Sequence, residues 1–488
     1  MVKARERAMR MNIKLRKPKI GFLLFGSERF KELGVGTASG TYNERVQRES
    51  VRITNKFVQD LDVINPGVLY DITEVRKAIQ VYESEQVDCI LVMFLSWAED
   101  NLWIRFLRDS NIDTPLIYYC LTKDHIPFQS CDDENDFIEF LSSGGLVGML
   151  VGSGSIVRHK RWAKVVVGTL DEKSDVIVEY AKTCMIHSIV KQSKVGVMPA
   201  YNEIMWSTYV DPYEYFKIGP SVHFISYDEL DQCSNSIPDG TVLEYKEQLI
   251  AKYPVASSVE DEKFIASLRY SLGLVEVVRK YDLDILTIND VDMRLFEKIG
   301  LRPGFYPNEI NQRLAVLCPE ADLGAALATF ILKMLSRNQV NFIEPFYVDA
   351  SRQIFSGGHA GPNDYNYEQS QELVEISVDS RFAKTSYKYA GAPFAWLRIP
   401  PGIMTMVHIS QGDGGVKLIA SLVESIEGPH FINSYAHSEF KPLNNSVNEF
   451  FQTLLTHGTT QHFAVTPGNY VSQLEDLAHL FEFDFYQV

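Results

Sequence analysis

Apolar residues along this chain fall into short continuous runs separated by longer stretches with helical spacing. The run Ile20-Gly21-Phe22-Leu23-Leu24-Phe25-Gly26-Ser27 ends in glycine, which predicts a buried strand followed by a turn. A helical pattern over residues 43–61 comes next, then a strand over 68–70, a helix over 73–86, a strand over 89–94, a helix over 101–108 and a strand over 115–119. That alternation predicts a parallel sheet covered by helices on both faces. It restarts at Lys194-Val195-Gly196-Val197-Met198 and continues through 222–225 and a long helix over 260–280 to a strand at 284–288. Beyond Arg337 prolines and glycines become frequent. Short apolar runs such as 394–399 and 403–408 there predict a mostly antiparallel, barrel-like or sandwich region, ending in a helix over 470–482 and a strand over 483–488. The expected fold class is α/β: two Rossmann-like α/β domains, residues 19–175 and 176–337, then a mostly antiparallel β-barrel-like domain, residues 338–488. A basic arm, residues 1–18, precedes them.

At 488 residues the chain is long enough for several domains, and 45% hydrophobic content is that of a globular protein. A net charge of −16 argues against a nucleic-acid partner, whose footprint is usually basic. The six cysteines form no CxxC pair, so a disulfide framework is not expected and a cytoplasmic location is. Residues 1–17 hold seven Lys or Arg and one Glu, with no apolar segment after them, which reads as a solvated or docked arm rather than a secretory signal. No stretch is expected to reach the roughly 20 apolar residues that cross a bilayer, so no membrane partner is expected. Gly144-Gly145-Leu146-Val147-Gly148 invites a phosphate-cradle reading, but no Walker lysine follows, and a helix-packing role is preferred.

The chemical signal lies in four residues among apolar and small neighbours. They are Glu320 in Pro319-Glu320-Ala321-Asp322, Glu344 in Phe342-Ile343-Glu344-Pro345, His359 in Gly357-Gly358-His359-Ala360-Gly361 and His462 in Thr460-Gln461-His462-Phe463. Each has a plain reading. Glu320 could be a dipole partner in a first helical turn, His359 could fill a turn, and His462 could be a satisfied core histidine. Glu344 is expected at the end of a strand, where buried carboxylates need a partner. Taken together, two carboxylates and two imidazoles can hold one divalent metal and leave room for a substrate, and such mixed ligation suits Mn²⁺, Co²⁺ or Mg²⁺.

With these motifs in place the chain resembles the L-arabinose isomerase family, within the L-arabinose/L-fucose isomerase group, from about residue 19 to 488. Phe25-Gly26-Ser27-Glu28 is similar to the family's first strand and its Gly-Ser-Gln turn. Lys217-Ile218-Gly219, Asp228-Glu229-Leu230 and Gln312-Arg313-Leu314 follow in family order. Glu320 with Asp322 resembles its Gly-Glu-Gly-Asp segment, Phe342-Ile343-Glu344 its Phe-Met-Glu, Gly358-His359 its Gly-Ser-His, and His462 its His-His-Thr. The resemblance implies that Glu320, Glu344, His359 and His462 are the metal ligands, with the two glutamates sharing acid/base work. It implies substrate contacts at Glu28, Met205, Asp290 and Phe346. The chain departs from the pattern at Glu28 (Gln in the family), around Asp290 (Phe), at Phe346 (Tyr) and at Gln461 (His), so the metal shell is kept while the sugar shell differs. Glu344 followed by His359 favours the arabinose over the fucose branch.

The implied activity is Mn²⁺-dependent aldose–ketose isomerisation, L-arabinose to L-ribulose and in addition D-galactose to D-tagatose, through a cis-enediolate, with Co²⁺ or Mg²⁺ as alternative metals. The implied partners are a small sugar and further copies of the chain, in a tetramer or hexamer. The rival readings are an isomerase of another sugar such as L-fucose, and a sugar-binding protein without turnover.

Overall fold

A computed structural model describes residues 14–126, 129–130, 132–367, 372–432 and 435–488. Most of the basic arm and Cys131 lie outside the described residues. The chain divides into two compact units, Leu15–Ser188 and Ile189–Val488, with Lys14 grouped with the second.

The first unit is built on a parallel sheet of β1 (Lys19–Phe25), β2 (Asp62–Ile64), β3 (Val68–Leu69), β4 (Cys89–Phe94), β5 (Leu116–Leu121) and β6 (Lys164–Gly168). The spatial order is β2-β1-β4-β5-β6, with β3 also on β1. Strands β1 and β4 are apolar almost throughout because helices cover both faces. Helices Tyr42–Phe57 and Ile72–Glu85 each start at a capping box, Thr41 with Glu44 and Asp71 with Glu74. Both helices begin within a residue of the sequence expectation. Strands β2 and β6 were not expected; β2 is only three residues long, and β6 follows no turn signal.

The glycine-rich stretch is a packing device. Helix Gly145–Arg158 lies so close to β4 that a Cβ at Gly145 would stand 2.1 Å from the Phe94 carbonyl oxygen. Residues 134–158 also correct one expectation. This run is long and apolar enough, by length and composition, to cross a membrane, although 44% of its apolar window is buried inside the protein. Its scarcity of charge, rather than any long block of large apolar residues, produces that result. The described cysteines, Cys89, Cys120, Cys184, Cys233 and Cys318, are free and buried.

In the second unit a parallel sheet contains β7 (Lys194–Met198), β8 (Ser221–Phe224), β9 (Ile285–Ile288) and β10 (Val316–Pro319), in the order β10-β9-β7-β8. Next come β11 (Asn341–Asp349), β12 (Ile354–His359), β13 (Val374–Val378), β14 (Pro393–Leu397), β15 (Gly402–Gln411), β16 (Val416–Ile426), β17 (Ala436–Pro442), β18 (Phe463–Pro467) and β19 (Asp484–Gln487). Six of these close on themselves: β15-β18-β11-β12-β17-β16 and back to β15, all antiparallel. The barrel thereby has no free edge in its wall. Its lining includes Ile343, Phe355, Met406, Val423, Phe440 and Phe463. The last strand departs from the antiparallel rule, since β19 runs parallel to β16. Helix Leu323–Ser336 is buried over nearly its whole length and packs on β9 and β10 as well as on β15 and β18. It ties the second parallel sheet to the barrel.

Two local expectations are corrected. Glu344 does not end a strand; it lies inside nine-residue β11, where the register slips between Pro345 and Tyr347. That irregularity absorbs the missing N–H of Pro345 and lets the strand continue. His359 is not in a glycine turn but is the last residue of β12. Gly358 is needed because a Cβ there would come within 1.8 Å of the Ala436 carbonyl oxygen on β17.

Candidate metal centre

The centre is built from one loop at the carboxyl end of a parallel sheet and three barrel strands. Glu320 directly follows β10 and Asp290 follows β9 by two residues. In parallel sheets, ligands gather at these ends. On the barrel, Ile343 and Phe463 belong to the interior. Strand alternation therefore turns Phe342, Glu344 and His462 to the outer face. The Phe342 ring lies 5.0 Å from the His359 ring and 4.6 Å from that of His462, giving both imidazoles an apolar backing.

Glu320 and Ala321 have φ values of +63° and +55°, the left-handed region that residues with a Cβ rarely adopt. Three hydrogen bonds hold this bend. The Glu320 N–H donates to Asp290 Oδ1 at 2.8 Å, the Ala321 N–H to the Ile288 carbonyl at 3.2 Å, and Asn202 Nδ2 to the Glu320 carbonyl at 3.4 Å. So held, the Glu320 carboxylate spans two imidazoles, with Oε1 3.1 Å from His359 Nε2 and Oε2 3.0 Å from His462 Nε2. Ligand atoms of Glu320, His359 and His462 all lie within 4.8 Å of one another, and all three residues are buried.

The donor set fits a cation. Glu320 Oε2, His462 Nε2 and His359 Nδ1 are buried and have no hydrogen-bond partner among the described residues, so the 3.0 Å approach of the first two is not aligned as a hydrogen bond. Buried polar atoms are normally satisfied, and Glu320 Oε2 and His462 Nε2, which converge without bonding one another, are placed for a third body. His462 Nδ1 is 2.9 Å from Asp322 Oδ2, which leaves Nε2 as the donor and fixes the ring, the arrangement of a carboxylate behind a metal-binding histidine. Asp322 also caps helix Leu323–Ser336 by accepting the Ala325 N–H at 2.9 Å. Its helix-start position, two residues after Glu320, was the sequence signal for this role.

Charge in the centre is strongly redistributed. Burial alone would raise Glu320, but the His359 and His462 contacts outweigh it and hold the carboxyl well below the usual range. Burial lowers His462, yet Asp322 and Glu320 reverse this and raise it to about 10. Glu344 goes the other way. Burial raises it, with the His359 charge opposing and the Glu320 charge assisting.

Three of the four residues expected as ligands are thus brought into one cluster. Glu344 lies outside it, near enough to feel both imidazoles, and makes no hydrogen bond among the described residues. Tyr435, whose ring is 6.3 Å from that of His359, feels the Glu344 charge. Asp290 is fully buried; besides Glu320 it faces Arg302, whose Nη1 is 3.1 Å from Asp290 Oδ2 and whose Nη2 is 3.6 Å from Asp379 Oδ2. Phe346 is half-buried beside Tyr435, Phe431 and His437. Met205 is half-buried and its sulfur accepts from Gln461 Nε2 at 2.8 Å, next to His462. Glu28 belongs to the other unit, exposed and paired with Lys31 at 3.1 Å. Arg302, Asp379 and Tyr435 were not anticipated, because no local pattern links them to the ligands.

Neither a protein-family model nor a curated protein matches this chain.

Proposed function

We propose that this chain is a metal-dependent aldose–ketose isomerase of the L-arabinose isomerase type, interconverting L-arabinose and L-ribulose and accepting D-galactose. The observation that carries the reading is the Glu320 carboxylate clasped between two imidazoles, with Glu320 Oε2, His462 Nε2 and His359 Nδ1 unsatisfied among the described residues, and beside them Glu344, a carboxylate with no hydrogen bond among those residues. A cation held by Glu320, His359 and His462, with Mn²⁺ ahead of Co²⁺ or Mg²⁺, would supply the Lewis acidity that stabilises negative charge on the sugar oxygens.

The two glutamates then differ in role. Glu320 is pinned and stays ionised, which suits a permanent ligand. Glu344 is unpinned and its carboxyl is raised, which suits a group that takes and returns a proton. Glu344 removes the proton from C2, the electron pair forms the C1–C2 double bond of the cis-enediolate, and the same carboxyl returns the proton to C1. The O2 hydroxyl proton passes to O1, leaving a ketone at C2. Phe342 excludes water from the imidazoles, and Asp290 holds the Glu320 backbone. Phe346 and Met205 flank the sugar.

The purified chain with Mn²⁺ is expected to form L-ribulose from L-arabinose, and EDTA to abolish the conversion. A panel of aldopentoses and aldohexoses ranks the sugars and detects an L-fucose preference. Tight sugar binding without Mn²⁺ and without any turnover would replace the enzyme by a sugar-binding protein.

A further inference from the structure

Within the unit Leu15–Ser188, helix Gly145–Arg158 buries one face and leaves the other bare. Gly148 and Gly152 pack on Phe94, and the Met149 carbonyl accepts from the Tyr118 hydroxyl at 2.6 Å. Leu146, Val147, Leu150, Val151 and Val157 point the other way, with Leu150 64% and Val157 77% exposed. At about 100° per residue these five and Gly154 fall in a single arc of about 140°. A Cβ at Gly154 would meet nothing within 4 Å, so the stripe has a notch where another backbone can approach. Phe137 and Phe140 on the preceding helix are also exposed. No charged residue occurs between Glu139 and Arg158.

We propose that this stripe is the contact between two copies of the chain, the helix of one lying antiparallel on the same helix of the other about a two-fold axis. The area supports it. Seven apolar side chains at on the order of 80 Å² each offer roughly 550 Å². A stable interface takes about 800 Å² per partner, a little over half of it apolar. The stripe carries no charge, so it selects no oppositely charged partner, and an apolar ridge beside a notch is its own complement. The chain's basic arm, residues 1–18, would find no carboxylate on the stripe. A membrane fits poorly, because the other face of this helix is packed on the sheet and 44% of the apolar window within residues 134–158 is buried inside the protein.

The stripe is proposed as the contact that joins the two halves of the assembly, so losing it halves the mass. Sedimentation velocity of the full chain is expected to show an even number of copies, and Leu150→Glu and, separately, Val157→Glu each to halve it, with circular dichroism unchanged. Ile112→Glu, at a 65% exposed position of the same unit, is expected to leave the mass intact. A monomeric or odd-numbered wild type, unchanged mass in both stripe variants, or binding of the wild type to phosphatidylcholine vesicles would each overturn the proposal. None of these outcomes bears on whether the metal centre is active.

Discussion

At the scale of single residues, the centre depends on a division of labour between two carboxylates. Glu320 is fixed by its backbone and by two imidazoles, whereas Glu344 makes no hydrogen bond among the described residues. Glu320→Gln is therefore expected to weaken Mn²⁺ binding by at least 100-fold in a calorimetric titration. Glu344→Gln is expected to leave Mn²⁺ affinity within a few-fold and to lower turnover by about 10²–10⁴, the range for lost general acid–base catalysis. Equal loss of metal by both variants would remove the distinction. Asp379 gives a separate pH signature. Burial, opposed by Arg302 and assisted by Asp290, raises it from 3.8 to about 6. Its native form holds a proton that the unfolded chain has already released. The associated stability is present below pH 3.8 and lost as pH rises through 6, on the order of 3 kcal/mol at most. Asp379→Asn is expected to flatten the fall in melting temperature between pH 4 and 6, measured against wild type.

At the scale of elements, the clearest sequence signals were strands buried on both faces. The runs at β1, β4 and β7 are apolar almost throughout and were legible within a residue or two. Strand β10 was not, because Val316–Pro319 is four residues long and its proline reads as a stop. The same logic misplaced Glu344. Pro345 looked like a terminator, but a register slip accommodates it and β11 runs on. Gly357-Gly358 looked like a turn, whereas Gly358 is a strand residue under a neighbouring backbone. Here the two glycines differ in a way that can be measured. A Cβ at Gly358 would meet the Ala436 carbonyl oxygen at 1.8 Å, but at Gly357 the nearest atom is Ile343 Cδ1 at 3.3 Å. Gly358→Ala is expected to exceed the usual overpacking cost of about 1–3 kcal/mol and to loosen Mn²⁺ by displacing His359. Gly357→Ala is expected to cost about 1 kcal/mol or less and to leave the metal in place. Urea unfolding and metal titration of the pair test this.

At the scale of the whole molecule, the four residues expected as ligands were legible as residue types in apolar surroundings, and their order along the chain carried the family resemblance. The network behind them was not legible. Asp290 meets the Glu320 backbone from 30 residues away, and Arg302 links it to Asp379 with no local spacing to announce the link. All of these groups lie in the unit Ile189–Val488. Mn²⁺ at 100 times its dissociation constant is expected to stabilise that unit by about 2.7 kcal/mol. Hydrogen exchange should then slow around β10, β12 and β18, and exchange within Leu15–Ser188 should not change. Slowing spread evenly over both units would contradict a single centre.

The most direct test of a metal-dependent isomerase with a carboxylate that carries the proton follows the label from L-arabinose deuterated at C2, incubated with the Mn²⁺-loaded chain in ordinary water. The predicted result is L-ribulose formed only with metal present, its C1 deuterium partly replaced by hydrogen because Glu344 exchanges with solvent between removal and return. Complete retention at C1 would contradict the role of Glu344, and absence of any ketose would contradict the isomerase itself.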